Sequence, residues 1–278
     1  MQKRDDKTPQ GLHYQYWRQM DGGSRPVLTL IMGYSGSIAS WASDFLEELF
    51  TFTDLILMDN RGTGYSFHPE QVDEITTEAM ARDTEALLVH LGVEHSHILG
   101  YSLGGCIAQH LAALFPHRIQ GLILLATTGG GRLYVPPAPG FLERLQSPEG
   151  QTPWEMALSM WSLCASQRAI QDYRDIFAMI HERQMQKPTP RRTFAGQMKA
   201  FRSFRVEDLI NPLQLKFPVT IISGKDDRLM PHGNSLKLNE FYPESVLFEL
   251  DACEHLPYIE QKLELLIALR ECLFPQHS

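Results

Sequence analysis

The chain has 278 residues, with 25 Lys and Arg against 33 Asp and Glu, for a formal charge of −8. A 43% hydrophobic fraction supplies a sizeable core and excludes disorder, collagen and coiled coil. The length suits one α/β domain carrying an insertion, and the acidic balance argues against a general grip on nucleic acid, which needs clustered positive charge.

In chain order, Met1–Gln10 is polar and lacks the apolar stretch of a signal segment, so a cytoplasmic location is expected. Leu12–Arg18 and Val27–Met32 read as strands, Trp41–Phe50 as a helix and Asp54–Asp59 as a strand. Thr76–Leu91 reads as a helix, His97–Tyr101 as a strand, Leu103–Phe115 as a helix and Gly121–Ala126 as a strand. After a stretch without strands come the strand Val219–Ser223, the helix Asn234–Phe241, the strand Val246–Leu250 and the helix Lys262–Phe274. Several strands are unbroken Leu, Ile and Val, as in a parallel sheet buried on both faces, and the βαβα rhythm predicts an α/β fold with helices on both faces. No apolar run approaches the ~20 residues that cross a bilayer. Cys106, Cys164, Cys253 and Cys272 form no CxxC pair and are expected to be reduced thiols.

The rhythm breaks from about residue 129 to 218. Gly129-Gly130-Gly131 and Pro136-Pro137-Ala138-Pro139 open the break, followed by helical patterns over Pro153–Cys164, Arg168–Gln184 and Arg191–Phe204. This predicts a helical insertion between two strands of the sheet. Trp154, Met160, Trp161 and Phe177 within it are candidates for lining an apolar substrate pocket, although most such residues pack helices together. From Arg132 to Arg205 there are nine Arg and two Lys against two Asp and four Glu, a net +5 that leaves −13 for the rest. Such a basic patch is usually a solvated surface. It also suits docking of an acidic partner, for which Arg191 and Arg192, just after Pro188 and Pro190, are the candidates.

The sharpest local signal is Gly100-Tyr101-Ser102-Leu103-Gly104, between a strand and a helix. GxSxG in that context is a nucleophile elbow: a tight turn exposes the serine at a helix N-terminus, and small residues let strand and helix nearly touch. A serine hydroxyl needs a general base, and the elbow's expected chain order is serine, acid, histidine. Asp226 and Asp227 follow the strand Val219–Ser223, and His255 follows the last strand. His95, His97, His110 and His232 lack that placement and read as structural. The oxyanion would be held by the backbone N–H of Leu103 and by one from the loop after Val27–Met32, assigned to Tyr34. No metal or organic cofactor is needed.

These residues resemble the α/β-hydrolase superfamily over nearly the whole chain. Asp59-Asn60-Arg61-Gly62-Thr63-Gly64-Tyr65-Ser66 is similar to its DxRGxGxS turn, and His255-Leu256-Pro257 to its histidine loop. Gly224-Lys225-Asp226-Asp227 with Pro231 is similar to its GxxDxxxP segment, which selects Asp227 as the acid. Met32-Gly33 departs from the His-Gly common at the oxyanion loop. The resemblance implies a core of 1–131 and 216–278, a helical cap of 132–215, and a serine carboxylesterase with Ser102, Asp227 and His255 as triad. Thioesterase, lactonase and C–C bond hydrolase remain open, as does a non-catalytic ligand-binding receptor. Ser102 excludes haloalkane dehalogenases and epoxide hydrolases, which carry Asp there. The basic cap is similar to that of pimeloyl–carrier-protein methyl ester esterases, which implies an acidic acyl carrier protein as a candidate partner.

Overall fold

The computed structural model describes residues 1–66 and 74–275. The apolar runs form most of an eight-stranded sheet: β1 (Gln2–Lys7), β2 (His13–Arg18), β3 (Val27–Ile31), β4 (Asp54–Met58), β5 (Ser96–Tyr101), β6 (Ile119–Leu125), β7 (Val219–Gly224) and β8 (Val246–Leu250). Their spatial order is β1-β2-β4-β3-β5-β6-β7-β8, with β1 and β2 antiparallel and the rest parallel. Every residue of β4, β5 and β7 is buried, because helices cover both faces of the sheet.

Alternation along the strands divides the core. Leu28, Leu30, Leu55 and Leu57 pack with α1 (Ser43–Phe50) and α11 (Lys262–Leu273). Ile31, Ile56, Met58 and Ile98 pack with α2 (Thr77–Leu91), α3 (Leu103–Leu114) and α9 (Gly233–Phe241). The Thr76 side chain accepts from Ala79 N, capping α2 at its start, and Gly92, at φ +67, ends it.

Between β6 and β7 the chain forms no strand. It holds α4 (Phe141–Gln146), α5 (Pro153–Trp161), α6 (Gln167–Asp172), α7 (Arg174–Gln186) and α8 (Arg191–Ser203). A single bridge, Gly130 to Arg205, ties the two ends of the insertion. Arg183 seats it on the core, donating to Ser43 Oγ at 2.7 Å and to Trp41 O at 2.8 Å.

Several elements differ from expectation. The helix expected from Trp41 begins at Ser43, after a single 3₁₀ turn over Ile38–Ser40. The helix expected over Arg168–Gln184 is broken at Tyr173 (φ −112, ψ 27) into α6 and α7. α4 and the single-turn α10 (Pro257–Glu260) are additional. β1 is also additional: Gln-Lys-Arg-Asp-Asp-Lys is exposed at all six positions and is held by its ladder to β2, so it carries no hydrophobic signal. Among the described residues no helix is long and apolar enough to cross a membrane, and the four cysteines are free.

Candidate active site

Ser102 sits between β5 and α3 at φ +55, ψ −121, a region disfavoured for a residue with a side chain. Its surroundings explain the two flanking glycines. A Cβ on Gly100 would overlap Gly104 O, and a Cβ on Gly104 would overlap Ile31 O. The elbow peptide is fixed by Ser102 N donating to Leu125 O at 2.9 Å and by Thr127 Oγ1 donating to Ser102 O at 2.6 Å.

Asp227 lies just past β7 and His255 past β8. Their loops touch at Gly224, where a Cβ would overlap Cys253 O and Glu254 O. Asp226 N donates to Cys253 O at 3.0 Å, and His255 N donates to Cys164 O of the insertion at 2.9 Å. Tyr101 Oη donates to His255 O at 3.0 Å. The structure thereby brings three buried side chains into line. His255 Nε2 is 3.1 Å from Ser102 Oγ, and His255 Nδ1 is 2.7 Å from Asp227 Oδ2. The other Asp227 oxygen accepts from Leu229 N at 2.9 Å and Met230 N at 2.8 Å. A carboxylate at Asp227 accepts only, so Nδ1 carries the imidazole proton and Nε2 faces the serine as acceptor. Asp226 is exposed and makes none of these side-chain contacts.

The loop after β3 runs beside the serine. A Cβ on Gly33 would lie 2.8 Å from Ser102 Cβ, so a glycine is required for that approach. Among the described residues neither Tyr34 N nor Leu103 N donates to another protein group, which leaves both free for an oxyanion. Asp59 of the DxRGxGxS turn braces this loop: it accepts from Ile38 N at 2.7 Å and Tyr65 N at 2.9 Å, and contacts His13 Nδ1 at 2.7 Å.

Two cavities meet at Ser102. One, of about 90 Å³, is lined by Met160, Trp161, Ile180, Gln184 and Tyr258 beside His255. The other, of about 30 Å³, is bounded by Leu103, Tyr134, Met198 and Phe201. Tyr34, Leu145 and Leu229 border both, and burial pushes the Tyr34 phenol up to about 12. No Lys or Arg lines either cavity among the described residues. A larger groove of about 730 Å³ lies elsewhere, between β1, β2 and α7, and no triad member lines it.

Of the pocket candidates, Met160 and Trp161 reach the cavity, whereas Trp154 and Phe177 do not. Phe177 is fully buried behind Trp161, with ring centroids 4.9 Å apart, and Trp154 packs edge-on to Trp161 at 5.9 Å and to His181 at 5.3 Å. Both give their area to packing within the insertion. Arg191 and Arg192 are exposed at the start of α8. Three further arginines of the insertion make intramolecular contacts: Arg183 with the core and, at the exposed surface, Arg168 with Asp172 and Arg174 over the Trp154 ring.

Among the described residues no group of three His, Cys, Asp or Glu side chains is placed to hold a metal. The structural histidines lie away from the triad, and His97 Nε2 is buried without a hydrogen-bond partner among the described residues. His232 bridges Ser223 Oγ at 2.9 Å and Glu249 at 2.7 Å, and His97 is buried and held down to about 4 by desolvation, then by the nearby His95. Residues absent from the expectations include Gln184 in the cavity wall and Gln197, whose Oε1 accepts from Ser35 N at 2.7 Å.

A family model described as alpha/beta hydrolase fold matches residues 26–157. A 2-hydroxy-6-oxo-2,4-heptadienoate hydrolase of Pseudomonas putida is 25% identical over 86% of this chain and 86% of its own. RutD of Agrobacterium fabrum, provisionally named a carbamate hydrolase, is 27% identical over 88% of this chain and 91% of its own. Among solved structures, an enol-lactonase from Burkholderia xenovorans superposes with a TM-score of 0.78 at 20% identity, covering 94% of this chain and 96% of that one. A thermophilic esterase from Thermogutta terrifontis gives 0.73 at 25% identity, covering 98% and 97%.

Proposed function

Because the chain belongs to the α/β-hydrolase superfamily, we propose that it is a serine carboxylesterase of small uncharged esters, with Ser102 as nucleophile, His255 as base and Asp227 as its partner. The observation that carries this reading is the relay of 3.1 Å and 2.7 Å, with its serine on a strained elbow at a helix N-terminus. His255 Nε2 takes the hydroxyl proton as Ser102 Oγ bonds to the acyl carbon, and the carbonyl electron pair moves onto oxygen. The N–H groups of Leu103 and Tyr34 hold that oxyanion. On collapse His255 returns the proton to the departing alcohol oxygen. Water, deprotonated by the same imidazole, then frees the acid and restores Ser102.

The cavities favour an uncharged ester. A dienoate of the kind named for the Pseudomonas putida relative carries a carboxylate, and burying one without a cationic partner is costly. No Lys or Arg lines either cavity among the described residues to supply that partner. Hydrolysis of p-nitrophenyl butyrate tests the proposal. Turnover should be lost in Ser102→Ala, and turnover that survives the substitution overturns it.

A further inference from the structure

We propose that Gln197, on α8 of the insertion, is a positioning residue that holds the oxyanion-binding peptide, so that the insertion sets the reactive geometry as well as walling the pocket. The inference rests on the esterase reading and concerns the same site.

Ser35 has φ +59, in the left-handed region that a side chain disfavours, and it directly follows Tyr34, whose N–H is the second oxyanion donor. Such a conformation persists only where the surroundings over-determine it. Both polar backbone groups of Ser35 are held from the insertion. Its N–H donates to Gln197 Oε1 at 2.7 Å, and its C=O accepts from Thr189 Oγ1 at 2.8 Å. The Tyr34 ring also meets Phe194 edge-on, with centroids 5.6 Å apart. From the core, Asn60 Nδ2 donates to Met32 O at 2.8 Å and fixes the upstream end of the loop. The segment bearing the oxyanion N–H is therefore clamped at one end by the core and at the other by residues 189–197.

Gln197 is fully buried, and its Nε2 is a buried donor with no partner. A buried orphan donor is destabilising, so the amide is not explained by stability alone. Its orientation is set by chemistry, because the reversed amide would place NH₂ against the Ser35 N–H, donor against donor. Its function in this position is therefore that of an acceptor reaching Ser35 across the interface with the insertion. A displacement of the donor by a fraction of an ångström weakens a hydrogen bond that matters only when the oxyanion forms, which affects kcat and spares ground-state binding.

The test compares Gln197→Leu, which removes the acceptor, with Gln197→Glu, which keeps an acceptor for the Ser35 N–H and replaces the unpartnered NH₂ with a carboxyl oxygen that burial favours in its neutral, protonated form. With p-nitrophenyl butyrate, Gln197→Leu should lower kcat by ~10- to 100-fold, below the ~10²- to 10³-fold cost of deleting an oxyanion donor outright, with KM within about twofold. Inhibition by a trifluoromethyl ketone, which forms an oxyanion adduct on serine, should weaken in the same proportion. Gln197→Glu should keep kcat within about threefold of the parent. Thr189→Val, at a half-buried position, should lower kcat in the same direction and decides the matter if Gln197→Leu does not fold. Parent-like kcat in Gln197→Leu or, failing that, in Thr189→Val overturns the inference, as does an equal loss in the Leu and Glu variants. Turnover persisting in Ser102→Ala is a different failure: it removes the esterase reading, and the inference with it.

Discussion

Asp227→Asn separates the work of the two oxygens of one side chain. Oδ1 accepts from Leu229 N and Met230 N, and Oδ2 faces His255 Nδ1 at 2.7 Å. Asparagine keeps one carbonyl oxygen, and the two loop N–H groups demand that it stay where Oδ1 is. The NH₂ then faces Nδ1, which must become an acceptor, so the imidazole proton moves to Nε2. In that tautomer Nε2 has no lone pair for the Ser102 proton, and its N–H points at Oγ across 3.1 Å. The corresponding change in a serine-protease triad costs ~10⁴ in kcat, equivalent to about 5.5 kcal/mol of transition-state stabilisation. The loop hydrogen bonds survive, so the Tm should change little. Steady-state kinetics on p-nitrophenyl butyrate with parallel thermal melts provide the assay, and Asp226→Asn, at an exposed neighbour, is the control expected to match the parent. An Asp227→Asn variant within about tenfold of the parent refutes the tautomer argument, as does a crippled Asp226→Asn.

Gly104→Ala should prevent stable folding or cost more than ~4 kcal/mol, since its Cβ would overlap the Ile31 carbonyl oxygen, a backbone atom that cannot step aside. A parent-like melting temperature would contradict the close approach of α3 to β3. His97 predicts an acid-sensitive stability. Its folded pKa is lowered to about 4, so as pH falls the unfolded chain takes up the proton first, and stability drops between about pH 6.5 and about pH 4 by up to about 3 kcal/mol. Urea midpoints of the parent and His97→Val across that range should show a shallower fall in the variant, and equal slopes would refute the assignment.

The sequence made the elbow and its partners legible because each is a local necessity. Glycines at 100 and 104 are demanded by backbone contacts, and an acid and a histidine just past β7 and β8 need only the chain order to be paired. The two cores were legible as unbroken runs, as in β4, where Leu55 and Leu57 face one layer and Ile56 and Met58 the other. β1 was not, because an edge strand held by its ladder and exposed throughout has no apolar periodicity to read. The aromatic content of the insertion was visible, but whether a ring faces the cavity or its neighbour depends on helix rotation. That is why Trp161 reaches Ser102's cavity while Phe177 lies behind it. Gln197 was hidden for the opposite reason. A glutamine on an amphipathic helix reads as solvent-facing, and only the packed interface makes it a buried acceptor for Ser35.

The central claim is that Ser102 is an activated nucleophile, and covalent trapping tests it most directly. Incubation with a p-nitrophenyl organophosphate followed by peptide mass mapping should place one phosphoryl group per chain on Ser102, with p-nitrophenolate released in equal amount. Labelling should be abolished in Ser102→Ala and greatly slowed in His255→Ala. A label on another residue, or parent-like labelling in Ser102→Ala, would contradict the account.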